Sequence, residues 1–442
     1  MAPLRTILTT ILLLFGSLAA ANSNDHGHQK GKWVDIWASM PQLTESANLP
    51  PIPFNDTGVV FQNSTIRQTV RVTLAAPIVR LQISNAFGVS DLPITSASIA
   101  LPLNGSSGTS AVKASSVRPL TFSGGNTHYT IPQGALAVTD PVFDFPVSAG
   151  TIVTISLYLA DGQTTNLITS HPGSRTTSYF VRGNSVNASD LQISDPSTQK
   201  ADHWYFISTL SGYVAPPSSG SISGALAIVG DSITDGRGST TNGNNRWPDV
   251  LSAHLQSRRA TSGISVLNLA AGGNRVLHDG LGPNALSRID RDVLGAGSVR
   301  YALVFEGVND IGTAATDAAS QQDVGARLIA AYEQIITRVH ARGIPIFGAT
   351  ITPFSGPGQT YSDPEREKTR QRVNGWIRGS GRFDAVVDFD TLVRNATQSD
   401  QLSELYNVGD YLHLNPDGYK AMGEAVDLAL FERFGDGVYG IL

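Results

Sequence analysis

Ala225-Leu-Ala-Ile-Val-Gly-Asp-Ser-Ile-Thr-Asp-Gly236 reads as a short buried strand that stops at Gly230 and presents Ser232 at its carboxyl end. Further strands are predicted at 264–269, 301–306, 344–350 and 385–389, with helices filling the gaps. The clearest helix runs from Asp323 to Arg342, where Val324, Leu328, Tyr332, Ile335, Ile336 and Val339 share one face. The last opens at Asn415-Pro416, a capping residue followed by proline at the first helical position. Tyr419, Met422, Val426 and Leu430 make its apolar stripe. Alternating strands and helices imply a parallel sheet covered on both faces, with a ligand crevice outside the carboxyl ends of the strands. Ser232, Gly273 and Asn309 all fall just past predicted strand ends, so one crevice can hold them together.

The preceding half has a different texture. Thr65–Thr73, Ile78–Ser84 and Thr151–Leu159 are rich in β-branched residues, and Gly, Pro, Asn and Ser separate such runs. Residues 33–213 are expected to form an all-β, sandwich-like or jelly-roll-like domain. The Pro/Ser/Gly-rich stretch 214–224 is the expected linker, and 225–442 the α/β domain.

The chain has 442 residues, enough for two domains, and a formal net charge of -5. That balance offers no basic footprint for nucleic acid or an anionic membrane. Arg5, the apolar run Ile7–Phe15 and an Ala-rich ending at Ala21 read as a secretory signal peptide over 1–21, too short to span a bilayer. No later segment is long and apolar enough to do so. The mature protein is therefore expected outside the cell, and Asn55, Asn63, Asn104, Asn187 and Asn395 are candidate glycosylation sites. The chain has no cysteine, which excludes disulfides, thiolate metal sites and a cysteine nucleophile. His26 and His28 read as part of a polar tail rather than a metal site.

Acyl transfer needs a nucleophile, a base, a group that orients the base, and donors for the developing oxyanion. Ser232 can serve as nucleophile and His413 as general base. Asp410, three residues earlier, can accept the imidazole N–H. The Asn309 amide, the Ser232 N–H and a glycine N–H within Ala270–Arg275 can face the oxyanion. Asp231, Asp235 and Asp310 are expected to hold loops by accepting backbone N–H groups. Trp247, Arg275 and His278 are candidates to line the acyl pocket, and Ser84-Asn-Ala-Phe-Gly88 to reach it from the β-domain. No P-loop and no Gly-x-Ser-x-Gly is present.

Gly230-Asp-Ser-Ile, Gly273, Gly307-Val-Asn-Asp310 and Asp410-Tyr-Leu-His413 resemble, in order, the four blocks of the GDSL or SGNH hydrolase superfamily. The resemblance covers about 225–435. It implies a flavodoxin-like three-layer α/β/α fold, esterase or lipase activity, and no cofactor or metal. It maps the nucleophile onto Ser232, the oxyanion donors onto Ser232, Gly273 and Asn309, and the acid and base onto Asp410 and His413. Trp33–Ser39, Thr65–Gln68 and Ser84–Gly88 more loosely resemble the β-domain that precedes the hydrolase domain in some secreted bacterial and fungal members. The substrate is expected to be a carboxylic ester, of short-chain or acetyl type, on a small molecule or a polysaccharide. An acyltransferase using the same triad and a non-catalytic carbohydrate-binding protein are the alternatives, and the oligomeric state is not readable.

Overall fold

The computed structural model describes residues 31–55, 58–216 and 220–439. The segment read as a signal peptide, and His26 and His28, lie outside the described residues. In the carboxyl-terminal half, five parallel strands form one sheet: β1 (Ser223–Gly230), β2 (Gly263–Ala270), β3 (Val299–Phe305), β4 (Ile346–Ala349) and β5 (Ala385–Val387), in the order β2-β1-β3-β4-β5. This is the flavodoxin-like order, which reverses direction at β1/β3 and leaves a crevice there. Every residue of β1 is buried, as a central parallel strand requires. Gly230 lies level with Ala270 on one side and Phe305 on the other, so the segments leaving all three strands emerge side by side.

The helices that matter for the site are α1 (Ser232–Asp235), α2 (Trp247–Gln256), α3 (Val308–Thr313), α4 (Ala318–His340), α5 (Pro364–Gly379) and α6 (Pro416–Ala425). Asn415 caps α6 by accepting the Gly418 N–H, as its sequence implies. That helix stops at Ala425, earlier than the apolar stripe suggested. Val426 is still buried, but in extended backbone, and Leu430 belongs to a separate short helix, Ala429–Arg433.

The amino-terminal half is all-β and antiparallel. One sheet pairs Lys32–Ala38, Ile207–Val214, Ile78–Ser84 and Leu136–Val138. A six-stranded sheet is centred on Ser64–Arg71 and Ile152–Leu159. Ile78–Ser84 buries alternate residues, as its sequence pattern predicts. Ser64–Arg71 does not, and its polar face is covered too. Arg67 lies under neighbouring loops and donates to the carbonyls of Ser110, Ser185 and Ala188 and to Ser156 Oγ. Burial pushes its guanidinium down to about 10.

The two halves share one continuous cluster of buried apolar side chains, from Val34 to Phe431. The seam is also hydrogen-bonded. Thr73 Oγ1 donates to Ile36 O and accepts from Val266 N at 3.0 Å, and Ser265 Oγ donates to Asp35 O at 2.6 Å. The buried Asp35 carboxylate accepts from Ser211 Oγ at 2.7 Å and Gly297 N at 2.5 Å. Burial pushes Asp35 above the ordinary aspartate value, against the pull of those two donors. Asp35→Ala strands both donors and is expected to cost about 1–3 kcal/mol. Chemical denaturation followed by tryptophan fluorescence and far-UV dichroism should give coincident transitions for both halves. Two well-separated wild-type transitions would contradict a shared core.

Candidate active site

The turn after β1 is set by Asp231, whose carboxylate accepts the Ile233 N–H at 2.9 Å and caps α1. Ser232 thereby becomes the first residue of a helical turn, with its side chain toward the crevice. His413 Nε2 lies 2.7 Å from Ser232 Oγ. His413 Nδ1 lies 2.6 Å from Asp410 Oδ2. A carboxylate oxygen only accepts, so Nδ1 carries the hydrogen and Nε2 is left to accept the Ser232 O–H.

Burial favours the neutral imidazole. It lowers the His413 pKa against the pull of Asp410, and the nearby Arg237 and Arg175 lower it further. Burial alone would raise Asp410. The His413 ring, the His413 N–H at 2.8 Å and the Leu412 N–H at 3.0 Å outweigh it and hold the carboxyl well below the usual range.

Asn309 follows β3 on α3. Its Oδ1 accepts from Tyr361 O–H at 3.0 Å, and its Nδ2 donates to Asn274 O at 2.9 Å. An amide nitrogen has two hydrogens, so one remains for the crevice that Asn309 lines. Asp310 accepts the Val276 and Leu277 N–H groups at 2.8 and 2.9 Å, tying the loop after β2 to the end of β3. Within that loop Gly273 has φ +72° and borders the crevice, where a β-carbon would meet Leu281 at 2.3 Å. Among the described residues, the backbone N–H groups of Ser232 and Gly273 have no hydrogen-bond acceptor.

Beneath the strand ends lies Arg288, with a fully buried side chain. It donates to Leu269 O at 2.6 Å, Asn274 Oδ1 at 3.1 Å and Asp292 Oδ2 at 2.8 Å, and reaches Glu306 at 3.4 Å. Burial pushes Asp231 up to about 7, Asp310 up to about 6 and Glu306 up to about 8.

The structure brings Ser232, His413, Gly273 and Asn309 to one open crevice of about 440 Å³, with Asp410 behind His413. Asp231 and Asp310 hold loops as expected. Asp235 differs: it pairs with His171 of the β-domain. Trp247, Arg275 and His278 do not line the crevice. Trp247 is fully buried, packs on Phe389 and donates to Thr234 Oγ1 at 3.2 Å. His278 is exposed, and Arg275 turns back to the Asp279 carbonyl. Ser84–Gly88 does not reach the crevice either, because Asn85 is fully buried and spends its amide on Ser90, Ile131 and Pro132 carbonyls. The candidate glycosylation residues Asn63, Asn104 and Asn187 are exposed, and Asn55 and Asn395 half-buried; none lines the crevice.

A different part of the β-domain forms the facing wall: Gln42, Glu45 and Asn48, the segment Pro172–Arg175, and His203. It is pinned by His171. Nδ1 of that ring lies 3.0 Å from Met40 O and Nε2 lies 3.0 Å from Asp235 Oδ1, with both side chains almost fully buried. A carbonyl only accepts, so Nδ1 carries a hydrogen. Gly173 sits so close to Asp235 that a β-carbon would lie 1.6 Å from Oδ2. Asn242 adds two more links, accepting from Thr177 N at 2.8 Å and donating to Thr177 Oγ1 at 3.0 Å. No local sequence signal marks the His171–Asp235 contact, which joins residues 64 positions apart.

A serine–imidazole–carboxylate relay, its serine and imidazole buried, stands at the carboxyl edge of a flavodoxin-like sheet, the arrangement that serine-type hydrolysis uses. Residues 228–421 match the model of the GDSL-like lipase/acylhydrolase family, and this half of the chain belongs to that family. No curated protein matches the chain. Among solved structures, a GDSL-like lipase from Bacteroides thetaiotaomicron is 16% identical, with 47% of this chain and 88% of that one covered at a TM-score of 0.34. A carbohydrate acetylesterase from Sinorhizobium meliloti is 13% identical, with 46% and 95% covered at 0.35. An aryl esterase from M. smegmatis is 15% identical, with 48% and 99% covered at 0.36.

Two outcomes follow. Because the neutral base is the reactive form and the His413 pKa is lowered, kcat/KM should be lost only as pH falls below the ordinary histidine value of 6.5. A pH–rate profile with its acid limb above that value would contradict this. His171→Ala leaves Asp235 buried without its partner and is expected to cost about 3–5 kcal/mol, read by thermal or chemical unfolding.

Proposed function

We propose that the chain is a secreted serine ester hydrolase working through an acyl-enzyme. The continuous relay Ser232–His413–Asp410 carries this reading. As Ser232 Oγ attacks the ester carbonyl carbon, its proton passes to His413 Nε2 and the C=O π pair moves onto oxygen. Asp410 keeps the Nδ1 hydrogen and stabilises the imidazolium. The oxyanion faces the Ser232 N–H, the Gly273 N–H and the free hydrogen of Asn309 Nδ2. Collapse breaks the C–O bond to the alcohol, which leaves with the proton from His413. Water then enters, gives a proton to His413 and attacks the acyl carbon. The carboxylic acid departs and Ser232 regains its hydrogen.

The substrate favoured is a short-chain or acetyl ester on a polar, hydroxyl-bearing alcohol. The facing wall of amides and charged groups supports that choice, and the crevice is open rather than a closed apolar tunnel. The reading of residues 1–21 supports export. Among the described residues no helix is long and apolar enough to cross a membrane.

Ser232→Ala should lower turnover of 4-nitrophenyl acetate by roughly 10⁴-fold or more while leaving the unfolding transition in place. A fluorophosphonate should label the wild type at Ser232 and not the variant. Retained turnover in Ser232→Ala, or labelling elsewhere, would overturn the assignment.

A further inference from the structure

The crevice around Ser232 carries two guanidinium groups with no visible employment. Arg175 comes from the β-domain and Arg237 from the loop after α1, and both line the crevice. Among the described residues neither side chain has an ion-pair or hydrogen-bond partner, and the Arg175 Nε–H is buried as well as unpaired. The carboxylates nearby are engaged elsewhere. Glu45 accepts from Gln42 at 2.5 Å and Asn48 at 3.0 Å, Asp235 is held by His171, and Asp410 by His413.

Arg175 is also held in place by its surroundings. Its backbone has φ +51°, a left-handed conformation that costs a non-glycine residue energy and persists only where neighbours impose it. Those neighbours are the Asn242 N–H, which donates to Arg175 O at 2.8 Å, the adjoining bonds of Thr177, and Gly173 against Asp235. Both cations press on His413, lowering its affinity for a proton, so their placement works against the base they flank. The chain as a whole is acidic, so two bare cations at this spot do not reflect a general excess of positive charge.

Building on the proposed esterase reading, we infer that Arg175 and Arg237 form an anion-binding subsite for a carboxylate carried by the ester substrate. Guanidinium groups bind carboxylates through charge-assisted, often bidentate hydrogen bonds. The carboxylate can sit on the acyl side, as in the half-ester of a dicarboxylic acid, or on the alcohol side, as in an acetylated hexuronic acid.

The test measures a ratio of kcat/KM values in each of two arms. One compares the 4-nitrophenyl half-ester of glutarate with 4-nitrophenyl pentanoate. The other compares an O-acetylated hexuronic acid with the matching O-acetylated hexose. In at least one arm the wild type should favour the anionic ester, and the preference should weaken as salt is raised. Arg175→Gln and Arg237→Gln should each lower that ratio about tenfold or more, and Arg175→Lys should retain part of it. A change acting only through His413 or through general loosening moves both members of a pair alike and leaves the ratio fixed. A ratio near one in both arms, or one that survives both Gln substitutions, would overturn the subsite. No turnover of any ester, anionic or neutral, by the wild type would instead overturn the esterase reading, and the subsite with it.

Discussion

A hydrogen bond of 2.7 Å joins Ser232 to His413 across 181 residues of chain, and the rest of the site is arranged around it. Neither partner can be adjusted alone. Ser232 is fixed by the end of a fully buried strand and by the Asp231 cap. His413 is fixed by Asp410, which accepts both its ring hydrogen and its backbone N–H. The two segments meet because the parallel sheet brings them to one edge. The Asp410–His413 turn is held in turn by Asn407, which accepts the Gly409 and Tyr411 N–H groups. A short bond between distant residues is thus the sum of several local constraints, each short in sequence.

The polar groups beneath the site do similar work on the oxyanion side. Arg288 gathers the Leu269 carbonyl and the Asn274 side chain, and Asn274 in turn receives the amide of Asn309. Tyr361 fixes the other end of that amide, so which atom of Asn309 faces substrate is decided by its partners rather than by rotation. Burial lifts Asp231, Glu306 and Asp310 toward the neutral range. Burial thus disfavours a negative charge at these three carboxyls, close to where the oxyanion is proposed to form.

The hydrolase half was legible because its chemistry is written in short blocks. Gly230-Asp-Ser232, Gly307-Val-Asn309-Asp310 and Asp410-Tyr-Leu-His413 each set their own local geometry, and each follows a hydrophobic strand or precedes a capped helix. What escaped was set by contacts with no local signature. Trp247 looked like a pocket residue from its place after the nucleophile loop, yet packing on Phe305 and Phe389 takes it inside. Asp235 looked like a turn aspartate, because nothing near it in sequence announces His171. Ser64–Arg71 alternates polar and apolar residues, which signals one wet face. Loops far along the chain cover that face and satisfy Arg67.

The relay and the groups that face the proposed oxyanion all lie on the parallel sheet and its loops. The crevice also takes Gln42, Glu45, Asn48, Pro172, Gly173, Arg175 and His203 from the amino-terminal half, on the side that faces the relay. A hinged domain could not hold such a wall at fixed distance. Here the shared apolar core and the Thr73, Asp35 and Ser265 bonds remove the hinge, and the His171–Asp235 pair sets the wall directly against the nucleophile's own helical turn. The relay thus stands on the strand ends of the α/β domain, and the β-domain closes the opposite side of the same crevice.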